Sequence, residues 1–321
     1  MNSINTNFAA MTALQSLNQT NKSMIETQSR ISTGYRVAEA SHNAAYWSMA
    51  TTMRSDNKSL SAVSDALGLG AATVDVAYVA MEKSIDVMTD LQKKLVLARQ
   101  PGADRAKIQT EIDELQNQLR SISTSASFTG ENWLLVDTTA GSGYTATEEV
   151  VASFSRSGNN VSVGTISIDI SSTYLFNENG TATADTRGIL ASNRVAATGV
   201  IGVAGTIVIA SGTGAGEMDI SGAAITETNI DEFIEAVNQA IQEMTDAATN
   251  LGAAKSRIDL QSEFVSNLSD AIDRGVSTLV DADMNEESTR LQALQVQQQL
   301  GIQSLSIANS NSQNILSLFR G

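Results

Sequence analysis

LQALQVQQQLGIQSLSIANSNSQNILSLF, residues 291–319, decides the fold. Leu291, Leu294, Leu305, Ile315 and Phe319 fall close to a seven-residue repeat, and glutamines 292, 295, 297, 298, 299 and 303 line the rest. The spacing predicts a long helix with a narrow apolar stripe. At about 1.5 Å per residue, roughly 35 residues make a rod of about 50 Å. Gln298, Gly301 and Ser312 fall at or near core positions, so the coiled coil is weak and is expected to order only among neighbours. The other end of the chain mirrors this one. Residues 1–35 are polar and free of proline, with Phe8, Met11, Leu14 and Leu17 on one predicted face. Met24, Ile25 and Ile31 continue the helix after a polar turn, and Gly34 is a plausible stop. Ends this polar bury little alone, which implies self-assembly.

Between the ends, Asn43 to Gln100 reads as mostly helical, with Met49, Met53, Leu60, Val63, Leu67, Val74, Met81, Ile85, Met88, Leu91 and Leu95 at helical steps. Gly68 and Gly70 weaken it locally, and Pro101-Gly102 ends it. A further helix is predicted from Asp104 to Thr124 and a turn at 128–132. Trp133 to Val136 is a strand candidate. From Thr138 to about 227, Gly, Ser, Thr and Val dominate. Val161, Val163, Ile166, Ile168 and Ile170 lie mostly at alternate positions, and Val203 with Ile207 to Ile209 less cleanly, as short strands do. Helix returns near Thr228, read as its cap with Asp231 three residues on, and Asp281–Asn285 reads as a bend. The fold class is mainly α with a β-rich insert.

Composition narrows the function. The 321 residues carry a net charge of −15, with no cysteine and one proline. The chain has no basic patch for nucleic acid and no thiolate for a disulfide or metal. It has no 18-residue apolar run, so no membrane span is expected. The start lacks a basic region followed by an apolar one, so export without a cleaved signal peptide is the expectation.

Candidate chemical groups are few. His42 is the single histidine, which excludes an HExxH zinc site; it reads as a surface or helix-cap residue rather than a catalytic one. Asp281, Asp283, Glu286 and Glu287 are weighed as a calcium site, but no glycine sits where an EF-hand loop turns. Acids complementing a helix N-terminus are the better reading. Gly212–Gly216 lacks the phosphate-loop lysine and reads as a turn. The helical methionines and Tyr46-Trp47 read as core packing. No catalytic, cofactor or metal residue is expected.

MNSINTNFAAMTALQSLNQTNKSM with RISTGYRVAEASHNAA, SFTGENWLL, and the C-terminal LQALQVQQQLGIQSLSIANSNSQNILSLFRG resemble the terminal regions of bacterial flagellins, most of all those of rhizobia. The resemblance covers about 1–137 and 228–321. It implies that 1–40 and 285–321 pair as an inner core, that 41–137 and 228–284 form a helical shell with a small β-hairpin, and that 138–227 is a small outer β-rich domain. It further implies an extracellular filament of self-assembled subunits, alone or mixed with sister flagellins. A filament cap, hook–filament junction proteins and an export chaperone are the implied partners; nucleic acid and membrane are not. Phe8, Met11, Leu14, Leu17, Leu291, Leu294, Leu305, Ile315 and Phe319 are the polymerisation candidates. The alternative is a hook–filament junction protein with the same terminal helices.

Two departures from the family pattern concern immune receptors. The resemblance places the segment read by the animal flagellin-sensing Toll-like receptor at Leu91, Gln92, Lys93, Val96, Leu97 and Glu111. Lys93 and Val96 stand where much of the family has Arg and Glu, so weak recognition is expected, because Lys lacks the planar fork of Arg. Residues 28–49 resemble the peptide a plant receptor kinase reads, with His42-Asn43 in place of two aspartates, so evasion is expected there too.

Overall fold

The computed structural model describes residues 7–138, 144–158, 160–177, 188–191, 218–222 and 225–320, with the side chains of 311–320 outside that set. The predicted strands at Val203 and Ile207–Ile209, and the turn at Gly212–Gly216, lie outside the described residues. The chain forms α1 (Phe8–Thr33), α2 (Ala44–Ala98) and α3 (Arg105–Ser125). Six strands follow: β1 (Ser127–Phe128), β2 (Glu131–Asn132), β3 (Leu135–Val136), β4 (Thr147–Ser157), β5 (Asn160–Asp169) and β6 (Phe176–Asn177). It closes with α4 (Glu227–Val280) and α5 (Met284–Arg320). Two compact units emerge: residues 1–58 with 268–321, and residues 59–267.

In the first unit, α1 runs unbroken through the polar stretch that sequence reading took for a turn. Gly34 ends it in the left-handed region (φ 74°), with its N–H on Arg30 O, a conformation a Cβ disfavours. The segment beyond Gly34 then crosses the α4–α5 junction. Ala282 N donates to Gly34 O at 2.9 Å, and Arg36 N donates to Val280 O at 2.7 Å. Val37, Ala50, Val276 and Val280 form the small core under this crossing, with Met53, Ile272 and Leu279 packed on it.

The second unit is built on heptads. Buried residues on α2 recur at 60, 63, 67, 70, 74, 77, 81, 84, 88, 91, 95 and 98, and on α4 at 230, 233, 237, 240, 244, 247, 251, 254 and 258. Steps of three and four keep one seam facing its partner. Ile108, Ile112 and Leu119 of α3 complete the core. Lys255 with Asp75 joins α4 to α2 as an ion pair, and Arg99, just past the end of α2, pairs with Asp231 of α4. Gly70 leaves α2 helical and is itself a seam position; a Cβ there would collide with Val150 of β4. The β4–β5 ribbon rests on this notch, and Gln261 Nε2 donates to Ala152 O at 2.9 Å, where the ribbon register shifts between Val151 and Ser153.

Beyond the ribbon, β3 and β6 pair in parallel and β1 and β2 form a tight antiparallel turn, and Leu134, Leu175, Phe176 and Leu190 are buried in this region. Gln109 of α3 fastens the returning chain. Its Oε1 accepts from Ile220 N at 2.8 Å, and its Nε2 donates to Met218 O at 3.2 Å.

Several local expectations change. α4 begins at Glu227, one residue before the cap read at Thr228; Thr226 and Asn229 exchange the capping hydrogen bonds instead. Strand β4 went unread, because Glu148, Glu149, Ser153 and Ser155 dilute its apolar alternation. Trp133 and Leu134 precede β3 rather than start it. Tyr46, Trp47 and Met49 are exposed, not core. By length and composition α2 is apolar enough to cross a membrane, although polar residues interrupt every apolar run in it; its apolar residues at helical steps, such as Leu67, Val74 and Met81, are buried.

Candidate assembly surface

The terminal helices α1 and α5 run antiparallel, and three contacts fix their register. Asn7 caps α1 by accepting from Ala10 N at 3.0 Å, while its Nδ2 donates to Ala308 O at 3.0 Å. Gln298 Nε2 donates to Asn21 Oδ1 at 2.8 Å. Arg30 Nη1 donates to Glu287 Oε1 at 3.1 Å. Between them the seam is Ala10, Ala13, Leu17, Thr20, Met24, Thr27 and Ile31 against Glu287, Leu291, Leu294, Gln298, Gly301, Leu305 and Ala308. Small and polar residues let the backbones come close, and Leu17 lies directly against Gly301.

That seam buries little oil. Among the described side chains of α1 and α5, Thr27 and Glu287 are the fully buried ones, and both are polar. The seam leucines are only half-buried, and a second set of large apolar residues points away. Phe8 is 63% exposed, and Met11, Leu14 and Ile25 are exposed with it. On α5, Val296, Leu300 and Ile307 recur at steps of four and seven, which places them opposite the seam; Leu300 is 58% exposed and Ile307 62%. Of the polymerisation candidates, then, Leu17, Leu291, Leu294 and Leu305 line the intramolecular seam, and Phe8, Met11 and Leu14 line an open face. Ile315 and Phe319 lie on α5, but their side chains are outside the described residues.

Sequence reading missed the outer stripe of α5. Val296, Leu300 and Ile307 carry a helical period of their own, but the leucine heptad running through the same residues hid it. The start of α5 is fixed by Asp283, whose Oδ1 accepts from Asn285 N at 2.8 Å and Glu286 N at 3.3 Å. Acids here offset the helix dipole, and Glu287 is engaged by Arg30 and Arg290. His42 is exposed in the turn before α2, and it is Asn43 that caps that helix, accepting from Tyr46 N at 3.1 Å.

The receptor-like segment lies on α2 and α3. Leu91 is fully buried in the core, so it offers no surface, whereas Lys93, Val96, Leu97 and Glu111 are exposed. Asp90, Lys93, Lys94, Leu97, Glu111 and Leu115 are among the residues around a groove of about 760 Å³. Four of its charged residues are paired: Lys93 Nζ with Asp90 at 2.9 Å, and Lys94 Nζ with Glu111 at 2.6 Å.

Residues 4–139 match the bacterial flagellin N-terminal helical region, and residues 234–319 match the bacterial flagellin C-terminal helical region. The chain is 51% identical over 328 residues to Flagellin C of Rhizobium meliloti strain 1021, 45% over 399 residues to Flagellin A of Rhizobium meliloti, and 46% over 322 residues to the flagellin of Brucella melitensis biotype 1. In each case all of both chains is covered. Paired polar termini, an open apolar face on each, and these relatives lead to one assignment: the chain belongs to the bacterial flagellin family, of the alphaproteobacterial type.

Proposed function

We infer that this chain is a structural subunit of the extracellular flagellar filament, polymerising with copies of itself and with sister flagellins. One observation carries the reading: the terminal helices turn Phe8, Met11, Leu14, Val296, Leu300 and Ile307 outward. Each such side chain is worth about 1.5–3 kcal/mol once fully buried, and a repeated head-to-tail contact that does not close a ring yields an open helical polymer. The work is mechanical, and no residue is assigned a catalytic role. A junction protein with the same terminal helices is the less favoured reading, because relatives matching along their full length are flagellins.

Finer assignments rest on the same basis. The terminal pair forms the inner core of the filament, the long α2–α3–α4 bundle its shell, and 138–227 its outer domain. A tip cap, the hook–filament junction and an export chaperone that receives α5 are its further partners. Purified chain brought to high concentration with a precipitating salt and imaged by negative stain tests the reading. Filaments from the full chain and none from a chain lacking residues 1–35 and 286–321 support it; filaments from both overturn the role of the termini.

A further inference from the structure

We propose that three separate exposed thioethers of the unassembled subunit, Met11, Met49 and Met284, are oxidation sites that control its competence to polymerise; the proposal rests on the assembly reading above. The chain has no cysteine, so methionine is its one kind of side-chain sulfur. The exposed methionines among those described all lie in the terminal unit, where Met24 and Met53 are half-buried. In residues 59–267, Met81, Met88, Met218 and Met244 are all essentially inaccessible. In the terminal unit, Met11, Met49 and Met284 are 57%, 53% and 43% exposed. An unbranched thioether is a good filler for an interface yet to form, and an exposed one is also open to oxidants.

The chemistry is a two-electron oxygen transfer. The sulfur gives an electron pair to hydrogen peroxide, an S–O bond forms, the O–O bond breaks and water leaves. The product sulfoxide is polar and chiral, and a dithiol-driven reductase reverses the change with release of water. Met11 sits on the same open α1 face as Phe8 and Leu14. A sulfoxide there carries a strong acceptor into a contact that would otherwise be apolar, and a buried acceptor without a donor opposes association. The contact assigned to the open α1 face would cover Met11, so oxidation there acts on the subunit before assembly rather than on the finished filament.

The test is seeded elongation of full-length protein, before and after brief hydrogen peroxide treatment in native buffer, with sulfoxide mapped by peptide mass spectrometry. Met11, Met49 and Met284 are expected to oxidise first and the four core methionines last. Elongation is expected to fall by about tenfold or more and to return after treatment with methionine sulfoxide reductases acting on both epimers. In a Met11→Leu/Met49→Leu/Met284→Leu variant, the ratio of rates after and before peroxide is expected to stay near one, whatever its starting rate. Oxidised protein elongating at the untreated rate, or the triple variant losing as large a fraction as the parent, overturns the proposal. Untreated protein that fails to elongate on seeds overturns the assembly reading itself, and the two failures are told apart by that control.

Discussion

Arg30 on α1 and Glu287 on α5, 257 residues apart in sequence, meet at 3.1 Å, and the Glu287 side chain is only 6% exposed. Arg290 reaches the same oxygen at 3.2 Å. A carboxylate this enclosed is stabilised by its two guanidiniums. Removing it leaves Arg30 with Glu26 and the half-exposed Arg290 with Glu286, and takes away the one carboxylate that bridges α1 to α5 through Arg30, a loss of about 1–3 kcal/mol once the exposure of the arginines is allowed for.

Glu287→Ala is therefore expected to loosen the terminal pair, seen as faster amide hydrogen exchange along α1 and the first turns of α5. Glu287→Gln, which keeps an acceptor, is expected to lie between. Unchanged exchange in the alanine variant would show that the pair does not hold the register.

Gly301 makes a second test of the seam. A Cβ at this position would stand 3.2 Å from Leu17 Cδ1, the mobile end of a flexible side chain. Alanine gains about 1 kcal/mol of helix propensity over glycine, and Leu17 needs to yield only a few tenths of an ångström. Gly301→Ala is expected to be neutral or to stabilise by up to about 1 kcal/mol, while Gly301→Val, with more bulk against Leu17, is expected to destabilise. Thermal unfolding followed by circular dichroism distinguishes them, and a strongly destabilised alanine variant would contradict the packing described.

The helices were legible in the sequence because heptad spacing survives in strings such as Leu60–Val63–Leu67 and Leu291–Leu294, and because Gly34 and Pro101-Gly102 mark their ends. The side of α1 that faces α5 was not. Phe8, Met11 and Leu14 are the conspicuous apolar residues, yet the seam runs through Ala10, Ala13 and Thr20, chosen for close approach rather than for oil. Gly70 was read as a weakness in α2, and its reason, room for Val150, comes from a strand about eighty residues away. Tyr46 and Trp47 were read as core because large aromatics usually are; a residue whose burial depends on a second molecule gives the same sequence signal.

Acid should weaken the helical bundle through its exposed carboxylates. The hydrogen bond and charge of Arg99 hold Asp231 below its ordinary value of 3.8, and hydrogen bonds from Lys107 do the same for Asp104. A carboxylate whose folded value is depressed contributes stability that is fully present above about pH 4 and is lost as pH falls through the folded value. Thermal midpoints are expected to drop below pH 4, with a shallower drop in Asp231→Asn. An equally steep acid limb in that variant would remove Asp231 from the account.

The receptor-like groove gives a gain-of-function test. Lys93 pairs with Asp90, and Glu111 with Lys94, both in solvent, so these pairs offer a partner only weak competition and the missing Arg and Glu decide the outcome. Lys93→Arg with Val96→Glu is expected to raise activation of the animal flagellin receptor in reporter cells by about tenfold over the parent. A parent already fully active at ordinary doses would refute the expected evasion.

The central claim is that the outward apolar residues of the terminal helices are the polymer contact. The direct measurement is elongation on filament seeds by Phe8→Asp and Leu300→Asp, beside the parent, with helix content checked by circular dichroism. The account predicts parent-like helicity and elongation reduced by at least about tenfold in each, since burying a carboxylate at either position opposes addition. Elongation at the parental rate by both folded variants would contradict it.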